Sequence, residues 1–183
     1  MNEKKAIELC LKYHDPIGFE FLVKKFKEEA FYHAYSFIGN SEDAADICQE
    51  SFSKAFNAIP RLKQLQKFYP WFYTILRNAS LNFLKKQKIV RKKQYETVNN
   101  LTPIIVSPEE NLEKSEKNRK IWEILFMLKP EFREILVLKY AEDMNYKDLS
   151  TILGIPRGTV MSRLYNARKS FKKIYLKEEK YAG

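Results

Sequence analysis

Residues 145–168, NYKDLSTILGIPRGTVMSRLYNAR, contain two helical patterns on either side of a glycine. Asn145 suits the N-cap of the first helix, and residues 154–156, Gly-Ile-Pro, form a turn. The second helix starts near Arg157, and its apolar residues recur at helical spacing, which predicts one buried face. These apolar residues are Val160, Leu164, Ala167 and Phe171. Two helices joined by a tight glycine turn are typical of a helix-turn-helix DNA-binding unit.

The outward face of the second helix is polar and basic. In a helix-turn-helix this helix enters the major groove, where such side chains contact phosphates and base edges. No acidic residue occurs between Leu149 and Lys177, as expected of a DNA-binding face. A solvated helix that closes an ordinary bundle is the alternative, but it leaves the preceding helix and turn unexplained. This face consists of Arg157, Thr159, Ser162, Arg163, Tyr165, Asn166, Arg168 and Lys169. Tyr146 and Met161 are further candidate DNA contacts.

The composition of the 183-residue chain fits a helical protein that binds a polyanion. Hydrophobic residues make up 45% of the chain and charged residues 31%, so it can fill a core and is unlike a disordered chain. Its five glycines and seven prolines are too few for a sheet-rich fold with many tight turns. The net charge of +10 favours nucleic acid or an anionic membrane surface as a partner.

The N-terminal sequence and the cysteines bear on location and chemistry. Residues 1–5 precede an amphipathic stretch, so we expect no signal peptide, no membrane insertion and a cytoplasmic protein. Cys10 and Cys48 are too few for a disulfide framework. Cys10 and His14 have helical spacing, but only His33 and Cys48 remain to complete a metal site, so we predict none. We find no cofactor-binding or nucleophile motif either, which predicts that the protein is not an enzyme.

The first half of the chain has the apolar periodicity of several helices. Two helices are predicted over residues 7–37, broken near Asp15–Pro16. A third runs from Ser41, its expected N-cap, to about residue 59. A loop over residues 61–69 leads to a fourth helix, expected from Pro70 to about Lys88. The inward stripe of the third helix is Ala44, Cys48, Phe52, Ala55 and Ile59.

Residues 91–106 lack sustained periodicity and contain turn-forming Asn and Pro, which predicts a linker. The first domain then spans residues 1–90 and the second spans residues 107–183. The second domain opens on Ser-Pro-Glu-Glu, a typical helix start, and Pro130 is expected to separate its next two helices. The predicted fold is therefore all-α, with two small helical domains joined by a flexible linker.

Several blocks of the chain together resemble bacterial sigma factors of the extracytoplasmic-function group. Residues 145–168 resemble region 4.2 of that group. Residues 19–23 (FEFLV), 41–52 (SEDAADICQESF) and 71–84 (WFYTILRNASLNFL) resemble its region 2. The blocks follow the order of the family and extend over almost the full chain, which is more specific than any block alone. The resemblance implies the minimal form of the family, without sigma regions 1.1 and 3.

The resemblance implies a factor that binds core RNA polymerase, recognises the minus-10 and minus-35 promoter elements and promotes DNA melting. Region 2 would contact the clamp helices of the largest polymerase subunit, and region 4 would contact the flap. The acidic third helix of this basic protein fits the clamp contact by charge complementarity, with a solvated face as the alternative. The residues implied in polymerase binding are Asp43, Asp46, Gln49 and Glu50.

Recognition of the minus-10 element is implied for the fourth helix and the loop before it. Asn78 and Asn82 share one helical face, and their amides suit hydrogen bonds to base edges or to an extruded base. Trp71 and Phe72 could stack on melted bases, although we favour core positions for them. The loop lacks the Gly-Asp often seen in the family, so the preferred base stays open. The residues implied here are Lys63, Phe68, Asn78, Asn82, Lys85 and Lys86.

The minus-35 preference also stays open, because Met161 and Asn166 stand where related proteins often carry arginine. The competing hypothesis is a free-standing helix-turn-helix regulator, which would need neither the acidic helix nor the pair Asn78 and Asn82. An anti-sigma factor is expected as a further partner. A linker of roughly 20 residues would let this factor hold the two domains packed together, with both DNA surfaces hidden.

Overall fold

The computed structural model describes residues 1–13, 15–62, 68–97, 116–141 and 143–182. Within these ranges the regular elements are helices, and a short 3₁₀ turn over Ile59–Arg61 follows the third of them. The all-α prediction is therefore confirmed. The helices are α1 (Glu3–Tyr13), α2 (Pro16–Ile38), α3 (Ser41–Ala58), α4 (Phe68–Thr97), α5 (Glu116–Met127), α6 (Pro130–Tyr140), α7 (Tyr146–Leu153) and α8 (Arg157–Ala182).

Most helix boundaries follow the cap and turn residues of the sequence. The side chain of Asp15 accepts the N–H of Ile17 at 2.9 Å and so caps α2. This helix ends at Gly39, whose φ of 78° lies in the left-handed region that favours glycine. Asn145 caps α7 in the same way, and Gly154 ends it with a φ of 64°. The breaks predicted near these residues and before α6 are confirmed.

Two helices, α3 and α4, have N-terminal boundaries that differ from the sequence prediction. The N-cap of α3 is Asn40 and not Ser41, because the Asn40 Oδ1 accepts the N–H of Asp43 at 2.8 Å. Ser41 is instead the first residue of the helix. α4 begins at Phe68, before Pro70, and no Ser, Thr, Asp or Asn precedes it in residues 64–67. A carboxylate distant in sequence does the capping, since Glu3 Oε1 accepts the N–H of Phe68 at 3.1 Å.

The end of α4 also differs from the prediction, since the helix continues to Thr97. Residues 85–97 contain no proline or glycine and are rich in Lys, Arg and Gln, which are good helix formers. The first part of the linker predicted over residues 91–106 is therefore helical. The rest of that linker, together with the helix start predicted at Ser107, lies outside the described residues.

The helices form two bundles, α1 to α4 and α5 to α8, which pack on each other through α2 with α6 and α4 with α7. The first bundle has an aromatic core: the ring of Phe72 stacks on Phe52 at 4.3 Å and on Phe68 at 5.5 Å between centroids. In the second bundle, Leu149 on α7 and Val160 on α8 are fully buried where the two helices of the helix-turn-helix meet. The predicted inward stripe of α3 is buried as well.

The two cysteines should be unreactive in the folded chain. Burial raises the pKa of the Cys48 thiol to about 12 and also raises the pKa of Cys10. Because the thiolate is the reactive form, we expect a thiol reagent at pH 8 to label the native protein at less than about one hundredth of the rate of a free cysteine. Unfolding in guanidinium should expose both thiols. Fast labelling of native protein would contradict the buried positions.

Candidate functional site

The exposed face of α3 carries the predicted acidic patch. Asp46, Gln49 and Glu50 are exposed and Asp43 is half-buried, all on the side opposite the buried stripe. A hydrogen bond from Lys54 lowers the pKa of the Glu50 carboxyl, with smaller help from the charge of Lys86 on α4. The patch therefore lies close to Lys86, at the basic end of the exposed α4 face.

The exposed face of α4 brings together most of the residues predicted to bind the minus-10 element. Asn78 and Asn82 are exposed and share this face with Lys85. Trp71, seven residues before Asn78, lies on the same face and is half-buried. Lys86 is exposed beside them. The face thus offers amides, cations and one accessible aromatic ring.

Two residues predicted for the minus-10 site are placed differently. Phe68 is fully buried among Phe19, Phe26 and Phe72, so its ring cannot reach DNA while this core is intact. The sequence misled here because an aromatic residue at the end of a basic stretch resembles a stacking residue, whereas Phe19 and Phe26, which bury it, lie on α2, more than 40 positions earlier in the chain. Lys63 lies outside the described residues.

The outward face of α8 presents the predicted minus-35 residues. Val160, Leu164 and Ala167 are buried against the rest of the bundle, which turns the intervening side chains outward. Arg163 is half-buried at the edge of this face. The exposed members are Arg157, Thr159, Met161, Ser162, Tyr165, Asn166 and Arg168.

The turn before α8 is fixed by a residue that the sequence did not single out. The Ser150 hydroxyl donates to the carbonyl of Ile155 at 2.6 Å, while the Ile155 N–H bonds to the Ser150 carbonyl at 3.2 Å. This pair of hydrogen bonds joins α7 to the residue just before Pro156 and so sets where α8 begins. The sequence indicated this role of Ser150 only weakly, because the side chain of a serine inside a short helix is usually solvated.

Arg168 and Tyr146 contact each other. The Arg168 guanidinium donates a hydrogen bond to the Tyr146 side-chain oxygen, which raises the pKa of Arg168, and it also lies 5.9 Å from the ring centroid of Tyr140. Arg168 therefore connects the end of α6 and the start of α7 to α8. It lies at the edge of the DNA-facing surface, where it can hold α7 in place as well as face a phosphate.

An apolar cavity of about 600 Å³ opens between α5, α6 and α8. The sequence did not reveal it, because its walls come from separate helices and from Tyr32 on α2. Its lining residues include Ile121, Trp122, Leu125, Leu136, Val137, Tyr140, Ala141, Arg168 and Phe171. A concave, mainly aromatic and aliphatic surface of this kind suits an apolar segment of a partner protein.

Comparisons with known proteins match both bundles to one family. The family model of Sigma-70 region 2 matches residues 22–89, and that of Sigma-70, region 4 matches residues 118–171. The RNA polymerase sigma factor SigV of Bacillus subtilis is 31% identical over 84% of this chain and 88% of its own. The ECF RNA polymerase sigma factor SigW of the same organism is 27% identical over 94% of this chain and 96% of its own.

A solved structure shows the same fold. The sigma factor RpoE of Bartonella quintana, in complex with the anti-sigma factor NepR, superposes with a TM-score of 0.68 at 23% identity. The match covers 86% of this chain and 96% of the RpoE chain. In the described part of the chain, no helix is both long and apolar enough to cross a membrane.

Proposed function

This chain belongs to the sigma-70 family, in its extracytoplasmic-function group, and we propose that its two bundles divide polymerase binding and promoter recognition between them. The chain is a transcription initiation factor and not a free-standing regulator. The observation that carries the division of labour is that each bundle matches one sigma region and presents the exposed face expected of it. We place the protein in the cytoplasm and assign catalysis to the polymerase.

The acidic face of α3 is the proposed contact with the clamp helices of the polymerase. Asp43, Asp46, Gln49 and Glu50 are its members. Support comes from the segregation of charge: three acids and one amide share a face of α3 on a chain of net charge +10, and all but the half-buried Asp43 are exposed. Charges arranged in this way steer association and set the register of a complex.

The exposed face of α4 is the proposed reader of the melted minus-10 strand. Asn78 and Asn82 would bond to base edges, and Lys85 and Lys86 would contact phosphates. Lys63, which precedes α4 in the sequence, is a further proposed contact. Trp71 joins them as a stacking residue, since its ring is partly accessible and lies in line with Asn78. Phe68 supports this face from the core and is not proposed as a direct DNA contact.

The N-terminal half of α8 is the proposed reader of the minus-35 duplex. Residues near the start of a recognition helix reach base edges, whereas residues farther along approach the backbone. Arg157, Thr159, Met161 and Ser162 occupy the first two turns and therefore carry the base contacts in this proposal. The proposed contacts to the flanking phosphates are Tyr146, Arg163, Tyr165, Asn166 and Arg168.

The apolar cavity between α5, α6 and α8 is the proposed docking site of the polymerase flap. Its walls are mainly aromatic and aliphatic, so an apolar helix of the flap would bury hydrophobic surface there. An anti-sigma factor is the second proposed partner, by analogy with RpoE, whose solved structure contains one.

The proposal is tested by transcription with purified components. Core polymerase alone and core polymerase with this chain are compared on a library of randomised promoters. We expect transcripts only with the chain present, from templates that share two sequence elements upstream of the start. A chain that binds duplex DNA but neither binds core polymerase nor supports transcription would contradict the proposal.

Replacing Asn78 should impair promoter opening specifically. We expect Asn78→Ala to slow open-complex formation roughly tenfold, because one base contact of about 1–3 kcal/mol is lost. Affinity for core polymerase should not change. Permanganate reactivity of melted thymines measures opening, and Asn57→Ala, an exposed asparagine on α3, is the matched control. Equal loss of polymerase affinity in Asn78→Ala would indicate a folding defect and not a lost DNA contact.

A further inference from the structure

Glu3, at the start of α1, holds the first residue of α4. Its Oε1 accepts the N–H of Phe68 at 3.1 Å, and its Oε2 accepts a hydrogen bond from Lys25 Nζ on α2 at 2.7 Å. The carboxylate therefore bridges three helices. An N–H in the first turn of a helix has no partner within that helix, and a carboxylate at this end also complements the helix dipole. Glu3 thus fixes the start of the helix that carries the proposed minus-10 face.

α1 is packed closely enough on α2 to hold this carboxylate in place. Ala6 and Cys10 of α1 are buried beside Gly18 of α2. A Cβ at Gly18 would lie only 2.5 Å from the Ala6 carbonyl oxygen and 3.0 Å from the Cys10 Sγ, so the glycine allows the close approach of the two backbones. α1 also packs against the 3₁₀ turn that follows α3. It is therefore an integral part of the first bundle, although the family model of region 2 begins only at residue 22.

Aromatic contacts connect Glu3 to Trp71, the proposed stacking residue. The ring of Phe68 lies 5.8 Å from that of Trp71 and 5.8 Å from that of Phe26 between centroids. Lys25 Nζ, which pairs with Glu3, also lies 4.8 Å from the ring centroid of Phe26. Trp71 follows Phe68 by three residues on α4, within the first turn of the helix. A shift of the helix start would therefore move the Trp71 ring with it.

We infer that Glu3 is a positioning residue for promoter opening, which fixes the start of α4 and thereby the ring of Trp71. The inference rests on the proposed function, because Glu3 has this role only if α4 reads the minus-10 strand. The Glu3 side chain is only 25% exposed, so water competes less for its two contacts than at an open surface. Helix ends fray when they are not held, and Trp71 lies in the turn that would fray. Without Glu3, fewer chains at any moment would be competent to capture a melted base.

The experiment uses variants of the whole chain bound to core polymerase. Glu3→Ala removes both contacts of the carboxylate, whereas Glu3→Gln keeps an oxygen that can accept the N–H of Phe68. Glu8→Ala is the matched control, because Glu8 is another acid of α1 but pairs with Lys5 and Lys12 of the same helix. Permanganate reactivity of melted thymines measures opening, fluorescence anisotropy measures polymerase affinity, and thermal melts show that each variant is folded at the assay temperature.

A double-mutant cycle separates positioning from general stabilisation. Glu3→Ala and Trp71→Ala are measured singly and together. If Glu3 acts through Trp71, the double mutant should open promoters no more slowly than Trp71→Ala, because no ring remains to be misplaced. If Glu3 acts independently of Trp71, the slowing factors of the two single mutants should multiply. A residue that only stabilises the bundle would not give the first of these results.

We expect Glu3→Ala to slow opening roughly fivefold at unchanged polymerase affinity, an effect of the size of a lost helix cap. Glu3→Gln and Glu8→Ala should both open promoters at close to the wild-type rate. Wild-type opening by Glu3→Ala, equal slowing in Glu3→Gln, or factors that multiply in the cycle would each overturn the positioning role but leave the proposed function standing. Failure of the wild type to bind polymerase or to open promoters would overturn the proposed function instead.

Discussion

Reversing two charges on α3, Asp46→Lys with Glu50→Lys, is expected to lower affinity for core polymerase by roughly 100-fold or more. Both side chains are exposed, so the substitutions leave the core intact. Glu50 pairs with Lys54, which lowers the pKa of the Glu50 carboxyl, so a lysine at position 50 places like charges side by side. The loss should reflect faster dissociation together with weaker steering. Fluorescence anisotropy of labelled protein titrated with core polymerase measures the affinity.

A second pair of acids controls for overall charge. Glu20→Lys with Glu28→Lys makes the same change in net charge on the exposed surface of α2. We expect this pair to bind polymerase within about threefold of wild type, because exposed charges beyond a Debye length are screened. Equal losses in the two pairs would show that affinity follows net charge and not a contact on α3. Wild-type polymerase affinity in both double mutants would indicate that the clamp contact does not lie on α3.

Local sequence signals predicted much of the fold. Signals that act within a few residues can be recognised directly in the sequence. They include the caps Asp15 and Asn145, the glycines at positions 39 and 154, and the apolar periodicity of α3. The outward face of α8 was predictable for the same reason, since its buried positions follow a single helical period. The helix-turn-helix therefore required little tertiary information.

The features that were missed depend on residues far apart in sequence. Phe68 is buried because α2 supplies the aromatic partners Phe19 and Phe26, and Glu3 caps α4 across 65 positions. Glu134 has no local sequence signal of burial, because its partners Tyr73 and Arg77 lie 61 and 57 positions away. The apolar cavity likewise has walls from several helices. None of these pairings has a period or spacing that a single stretch of sequence could reveal.

Trp71 and Phe72 are adjacent on α4, but substitution by alanine should affect stability at Phe72 and function at Trp71. Phe72 is fully buried between Phe52 and Phe68, so Phe72→Ala removes a core ring at a cost of about 3–5 kcal/mol. For a chain of this size we expect the melting temperature to fall by about 10 °C. Thermal melts followed by circular dichroism measure this change. An unaltered melting temperature would contradict the aromatic core of the first bundle.

Trp71→Ala should instead spare the fold and damage function. Its ring is half-buried on the exposed face of α4, so truncation removes less packing than at Phe72 and leaves a smaller cavity. Loss of one base stack, worth about 1–3 kcal/mol, should reduce promoter opening roughly tenfold at unchanged polymerase affinity. If Trp71→Ala melts as early as Phe72→Ala and opens promoters normally once folded, Trp71 belongs to the core. The minus-10 strand would then be held by the amides and lysines of α4 alone.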